Sequence, residues 1–276
     1  MNLVVQGPSL READLGELLR LSRATGSEIL GRNAFRITNP ANRNSVSEWC
    51  EARRLDHAWV PEGCRFADLK LLAMVMDSTR ITIECIEELG GFMNKKNEIA
   101  AITSQAMRGE IGYPESLRRR VALLAGLDED ALQEVYDEKL RLAPGAEALV
   151  GQCKKYGVKL LLVSGGFSFF TERLKHRLGL DDTLSNLLDI DGGKLTGRVL
   201  GSIVDADEKA AKFAAMAKRL GAARDQTVAI GDGANDLKMM AAAGTSIAWR
   251  AKPMVRAKAT YALEYSGLDG VINLFE

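Results

Sequence analysis

The chain has 276 residues, of which 46% are hydrophobic and 27% charged, with 37 lysines and arginines against 37 aspartates and glutamates. This is ordinary globular composition, and the length accommodates one large core with one or two satellites, since domains run about 100 to 200 residues. The charge balance leaves no global field to draw a nucleic acid or an acidic bilayer, and no apolar stretch approaches the roughly 20 residues that a spanning helix needs. Cys50, Cys64, Cys85 and Cys153 fall at no metal-ligand spacing and read as reduced core thiols. The amino-terminal stretch reaches charged residues by Arg11 without a basic segment and a long apolar run, so no secretory signal is indicated and a cytoplasmic protein is expected.

Residues 1–68 read as a small α+β module. An apolar strand over 3–6 is followed by Ser9 and Glu12 at capping-box spacing, opening a helix with Leu15, Leu18 and Leu19 on one face. A strand over 34–38 and a second Ser-x-x-Glu box at Ser45 and Glu48, leading into Trp49 and Leu55, repeat the pattern. Strand, helix, strand, helix is the order of a ferredoxin-like or ACT-like module.

At Leu69 the character changes. LKLLAMVM ends abruptly in Asp77-Ser78-Thr79, as a strand buried on both faces does when polar residues crowd its carboxyl end, where open α/β sheets bind ligands. Residues 82–143 are helical in pattern, with Pro114 and Pro144 placed like first-turn prolines, and read as an inserted helical cap. Strand and helix then alternate: a helix ending at Gly157, a strand over 159–163, a helix over 168–178, a hairpin at Asp191-Gly192-Gly193, a helix over 207–220, a strand over 227–230, a helix from Asn235 and a strand near Ser246. Residues 69–81 and 144–276 are therefore expected to form an α/β core, a doubly wound parallel sheet with helices on both faces.

Three segments carry the chemistry. In Ile230-Gly231-Asp232-Gly233-Ala234-Asn235-Asp236 an apolar strand runs into glycines and carboxylates, and acidic groups packed at a strand end persist when a cation holds them. Alone, this is a plain turn. Val163-Ser164-Gly165-Gly166-Phe167 is a strand-to-helix turn whose glycines let N–H groups converge on an anion, with the Ser164 hydroxyl adding a donor. Lys209 opens a helix after Val204-Asp205-Ala206, where the dipole disfavours a cation; by itself it reads as a solvated surface lysine.

With MDSTRITIECIEELG (76–90), AMRGEIGYPESLRRRVALL (106–124), LLLVSGGFSFFTERL (160–174) and IGDGANDLKMM (230–240), the order and spacing resemble the phosphoserine phosphatases of the haloacid dehalogenase superfamily over nearly all of residues 69–276. The resemblance implies Mg2+ as cofactor and O-phosphoserine as substrate. It implies that Asp77 protonates the leaving serine oxygen and then activates water, that Ser164 and Gly165 hold phosphoryl oxygens, and that Lys209 neutralises them. Asp232, helped by Asn235 and Asp236, organises the metal together with the Asp77 carbonyl. Glu84 meets the substrate ammonium, Arg120 its carboxylate, and Met107 and Tyr113 close the cap. A substrate with one cation and two anions requires such a set. The apolar neighbours of Glu84 disfavour a solvent-facing reading; among Arg118, Arg119 and Arg120 only the resemblance chooses.

The chain departs from the family at one position. The pattern Asp-x-Asp-x-Thr is here Val75-Met76-Asp77-Ser78-Thr79, and valine has no lone pair with which to attack phosphorus. The expectation is a phosphate site that binds, turns over hardly at all and holds metal weakly, through a change made or acquired in an otherwise intact enzyme. Two alternatives differ in substrate or class: a phosphatase for another small phosphomonoester, such as phosphoethanolamine, which would not need Arg120, and a noncatalytic phospho-ligand sensor. The expected partner is a small-molecule substrate, with no nucleic acid and no membrane; a homodimer is admissible.

Overall fold

The computed structural model describes residues 1–31, 33–76 and 84–276. The chain opens with β1 (Asn2–Gln6), α1 (Leu15–Ser22), β2 (Gly26–Gly31), β3 (Ala34–Thr38), α2 (Asn44–Ala52) and β4 (Asp56–Val60). Among the described residues these four strands form an antiparallel sheet in the order β2-β3-β1-β4. Alternation along β1 explains its wholly apolar middle: Leu3 and Val5 pack with Phe35, Ile37, Leu18 and Cys50 in a core of the module's own, whereas Val4 joins the main core.

Two strands of this module escape the sequence reading. β2 is an edge strand with Ile29 at 55% exposure, and β4 shows only a short alternation. Both capping boxes are corrected. Ser9 Oγ donates to the Arg53 carbonyl at 3.1 Å, and the first turn instead forms after Arg11, whose N–H donates to Asp14 at 2.9 Å. Ser45 lies inside α2 and accepts from Asn42 Nδ2. Cys64 is exposed, which corrects its assignment to the core; Cys50 is buried, and burial pushes its thiol up to about 12.

The chain continues through β5 (Leu71–Val75), α3 (Cys85–Phe92), α4 (Lys96–Met107), α5 (Tyr113–Ala122) and α6 (Asp130–Glu134), which passes into a π-helical turn over Val135–Lys139. Then come α7 (Ala146–Tyr156), β6 (Lys159–Phe167), α8 (Ser168–Leu178), β7 (Asp182–Asp191), β8 (Lys194–Leu200) and α9 (Ala206–Arg219). The remaining elements are β9 (Thr227–Gly231), α10 (Leu237–Ala242), β10 (Thr245–Trp249), α11 (Pro253–Arg256) and β11 (Tyr261–Leu263). The second sheet has the order β11-β10-β9-β5-β6-β7-β8 and is parallel except where β7 turns back into β8. An antiparallel hairpin thus closes one edge of the otherwise parallel sheet.

β5 lies between β9 and β6, and every residue in it is buried. Leu71, Ala73 and Val75 face Phe213, Met216 and Met239, while Leu72 and Met74 belong to the core that includes Leu149, Phe170 and Leu174. Helices over both faces are why this strand is one continuous apolar run. α3 to α6 add Leu89, Ile99, Leu117, Val121 and Leu132 to the main core, and the stretch after α5 is pinned to the hairpin by Gly126 N–H to the Leu195 carbonyl at 2.8 Å. Pro144 is not in a first turn: α7 starts at Ala146 after Gly145, whose φ of 80° suits glycine, and the Pro144 carbonyl accepts from Leu268 N–H.

The module is fastened to the core through buried polar groups. The Asp56 carboxylate, 5% exposed, accepts the N–H groups of Glu264, Tyr265 and Ser266, and Arg36 donates to the carbonyls of Asn273 and Phe275. Asp56→Ala would orphan three donors at once, so unfolding in urea is expected to show a loss of about 3 kcal/mol. Asp68→Ala, at an exposed pair with Arg65, should leave the midpoint unmoved. No helix among the described residues is long and apolar enough to cross a membrane.

Candidate active site

A cavity of about 160 Å3 opens where the carboxyl ends of β5, β6 and β9 meet α3 and α5. Val75, Ser164, Gly165, Lys209, Asp232, Asn235 and Asp236 line it from the sheet side, and Glu84, Tyr113 and Arg120 from α3 and α5. Residues separated by more than 150 positions in the sequence thus share one pocket at the end of the sheet where ligands bind.

Its most buried element is an ion pair. Lys209 Nζ lies 2.8 Å from Asp236 Oδ1, with both side chains 2% exposed. Asp236 Oδ2 accepts from the N–H groups of Asp232 at 3.2 Å and Gly233 at 3.0 Å, so the turn after β9 is folded around this carboxylate. Gly231 permits the approach, since a Cβ there would sit 2.7 Å from Asp236 Cβ. Lys209, a plain surface lysine by its local sequence, is instead buried in the first turn of α9. Asp205 caps that helix by accepting from Asp207 and Glu208 N–H, and together with Asp236 these acids offset the dipole that disfavours a cation there.

Ser164 to Gly166 belong to the irregular end of β6, where the pairing register with β7 shifts between Val163 and Phe167, rather than to a free turn. Ser164 Oγ accepts from Gly166 N–H at 2.8 Å. The Gly165 carbonyl accepts from the Tyr113 hydroxyl at 3.0 Å, a bond that joins α5 to β6, and from Asn186 Nδ2 at 2.8 Å. A Cβ at position 165 would collide with the Tyr113 hydroxyl, so the glycine lets that bond form.

The structure selects among the three arginines. Arg120 is 8% exposed, lines the cavity and donates to the Ser116 carbonyl, whereas Arg118 and Arg119 face solvent and Arg119 pairs with Glu115. Glu84 stands at the amino end of α3 and lines the same cavity. Met107 is corrected: it is 63% exposed at the end of α4 and is not among the lining residues. Asp77 lies outside the described residues.

One further residue lines the site and another braces it from behind. Lys252 lines the cavity, and its N–H donates to the Asp232 carbonyl at 3.2 Å; the sequence marks it only as one lysine in a basic stretch. Asn186, 1% exposed, donates to the Gly165 carbonyl and accepts from Val204 N–H. In the mixed sequence DTLSNLLDID nothing local distinguishes it.

Val75, 4% exposed, closes the cavity floor with a hydrocarbon side chain. Cations and hydroxyls from Lys209, Arg120, Lys252 and Ser164 suit an anion, and Glu84 and Asp232 suit a cationic group beside it. Among the described residues no group of three His, Cys, Asp or Glu side chains could hold a metal ion.

A family model described as haloacid dehalogenase-like hydrolase matches residues 80–241, and one for a domain of unknown function (DUF4072) matches residues 3–46. A phosphoserine phosphatase of Albidiferax ferrireducens is 49% identical over 217 residues, 77% of this chain and 92% of that protein. The crystal structure of a probable phosphoserine phosphatase from Vibrio cholerae, in unliganded form, is similar with a TM-score of 0.86 at 37% identity, over 99% of this chain and 85% of that one. That of a HAD family hydrolase from Salmonella enterica serovar Typhi gives 0.89 at 30% identity, over 100% and 99%. Identity at this level across most of both chains, on a shared architecture, carries family membership: the chain belongs to the haloacid dehalogenase-like hydrolases, within the phosphoserine phosphatase family.

Proposed function

We propose that this is the scaffold of a phosphoserine phosphatase of serine biosynthesis, and that the chain as it stands binds O-phospho-L-serine with almost no turnover. The observation that supports the reading is Val75 on the floor of a cavity that Ser164, Lys209 and Arg120 also line. With aspartate at 75, its carboxylate oxygen attacks phosphorus, the bond from phosphorus to the serine oxygen breaks, and Asp77 gives that oxygen its proton. Water then attacks the aspartyl-phosphate, Asp77 takes the proton, and the carboxylate is regenerated. Lys209, Ser164 and Gly165 hold the phosphoryl oxygens throughout, Glu84 the ammonium and Arg120 the carboxylate. The isopropyl group of Val75 cannot begin this sequence.

Magnesium is the cofactor of this reading and would supply charge neutralisation at the phosphoryl oxygens. Asp232 is the carboxylate suited to it, with the Asp77 carbonyl as a further ligand. Asp236 would act indirectly, since both its oxygens are engaged. Valine adds no oxygen to a cation that prefers octahedral oxygen coordination, so affinity is expected to be weak.

Substrate choice is tested by calorimetry on the unaltered chain. Phosphoserine is expected to bind more tightly than phosphoethanolamine, and Arg120→Met to erase a preference of about tenfold or more. Equal affinities before mutation would sink the phosphoserine assignment in favour of another small phosphomonoester.

A further inference from the structure

The end of β6 does not keep step with β7. Val163 pairs with Leu184 and Phe167 with Asn186, so Ser164, Gly165 and Gly166 together stand opposite Ser185 alone and bulge out of the ladder. Backbone groups expelled from a ladder need other partners. Asn186 supplies them: its Nδ2 donates to the Gly165 carbonyl at 2.8 Å and to the Gly166 carbonyl at 3.3 Å. Its Oδ1 accepts from Val204 N–H at 2.9 Å, and because an N–H can only donate, the amide has a single workable orientation.

The two ends of this amide reach two different walls of the phosphate cavity. On one side is the peptide unit between Gly165 and Gly166, whose carbonyl is held by Asn186 and the Tyr113 hydroxyl and whose N–H donates to Ser164 Oγ at 2.8 Å. On the other side Val204 directly precedes Asp205, the cap of α9, and Lys209 lies in the first turn of that helix. Ser164, Gly165 and Lys209 line the cavity, whereas Asn186, 1% exposed, is not among the lining residues. A bulge with two glycines is otherwise free to turn its carbonyls towards an anion, which repels it.

We propose that Asn186 is a positioning residue for phosphate binding. One buried amide fixes the bulge of Ser164, Gly165 and Gly166 against the start of α9, so that the bulge and Lys209 meet the same phosphoryl group. It acts through the backbone and does not touch the ligand. The proposal rests on the phosphate-site reading above and is indifferent to which phosphoester occupies the site.

The test is calorimetry of the full chain with inorganic phosphate across a pH series, each variant being compared with the unaltered chain at the same pH so that the titration of phosphate itself cancels. Asn186→Asp keeps the shape and the acceptor for Val204 but, when ionised, turns an oxygen without a proton towards two carbonyls. It is expected to bind phosphate about tenfold more weakly at about pH 8 and to recover most of the deficit by about pH 5, because protonation of a buried carboxyl restores a donor. Asn186→Ala has no side-chain donor at any pH and should show a deficit of about tenfold throughout. A role in packing alone predicts otherwise, since the isosteric variant would then bind normally at every pH. Two results would overturn the proposal: Asn186→Ala binding phosphate as tightly as the unaltered chain, or a folded Asn186→Asp whose relative affinity does not change with pH. If Asn186→Ala does not fold, Asn186→Leu, which fills the volume without a donor, takes its place. Absence of phosphate binding by the unaltered chain would instead remove the phosphate site itself, and the proposal with it.

Discussion

Val75→Asp is expected to raise phosphate release from phosphoserine in the presence of magnesium by about a millionfold, the scale on which removal of a nucleophile silences a site whose groups act as a unit. The size of the effect follows from what is already assembled. Ser164, Lys209, Asp232 and Arg120 share one cavity with the side chain at position 75, so in the proposed mechanism the substitution supplies the atom that would bond to phosphorus. It has a cost in stability. A carboxylate at a position 4% exposed, beside Asp232 and Asp236, is destabilising by about 1 to 3 kcal/mol without a cation, and magnesium should repay this by pairing with it. Thermal unfolding with and without magnesium reads both parts: the reverted chain should melt lower than the unaltered one in chelator and gain more on adding metal. Equal shifts for the two forms would refute the electrostatic argument. A reverted chain that remains inert towards a panel of small phosphomonoesters, while the unaltered chain binds one tightly, would move the assignment from enzyme to sensor.

Lys209→Met is expected to cost about 3 to 5 kcal/mol in urea unfolding, because it leaves Asp236 as an uncompensated charge in the protein interior. Both members of the pair are 2% exposed, so water cannot take over the role of the ammonium. The effect belongs to the stranded charge and not to lost attraction alone, which a second substitution separates. Asp236→Asn keeps an oxygen for the N–H groups of Asp232 and Gly233 but carries no charge, so Lys209→Met with Asp236→Asn should recover part of the loss. Phosphate binding should be lost in the single and the double variant alike, since neither restores the cation. A double variant no more stable than Lys209→Met alone would show that the turn around Asp236 depends on the pair itself.

The parallel core was legible because its strands obey a local rule. Strands buried on both faces must be continuously apolar, and β5, β6 and β9 are, each ending where Gly, Ser or Asp take over. The amino-terminal module obeys no such rule. Its missed edge strand β2 leaves Ile29 largely exposed, and its two Ser-x-x-Glu patterns cap nothing because Ser9 bonds to Arg53 and Ser45 lies within α2. Short motifs specify a cap only when the chain begins its helix there.

By itself the sequence determined the alternation of the core, the carboxyl end of the sheet as the place for chemistry, and, through motif order and spacing, the family. It also contained the valine at position 75, which no fold can convert into a nucleophile. Tertiary structure alone decided that Lys209 is buried against Asp236, that Lys252 lines the site and Met107 does not, that Asn186 braces the Gly165 carbonyl, and that Asp56 and Arg36 fasten the module to the core. Each of these depends on a partner far along the chain. Burial and pairing are set by contacts between distant segments, whereas periodicity and turn chemistry are written within a few consecutive residues.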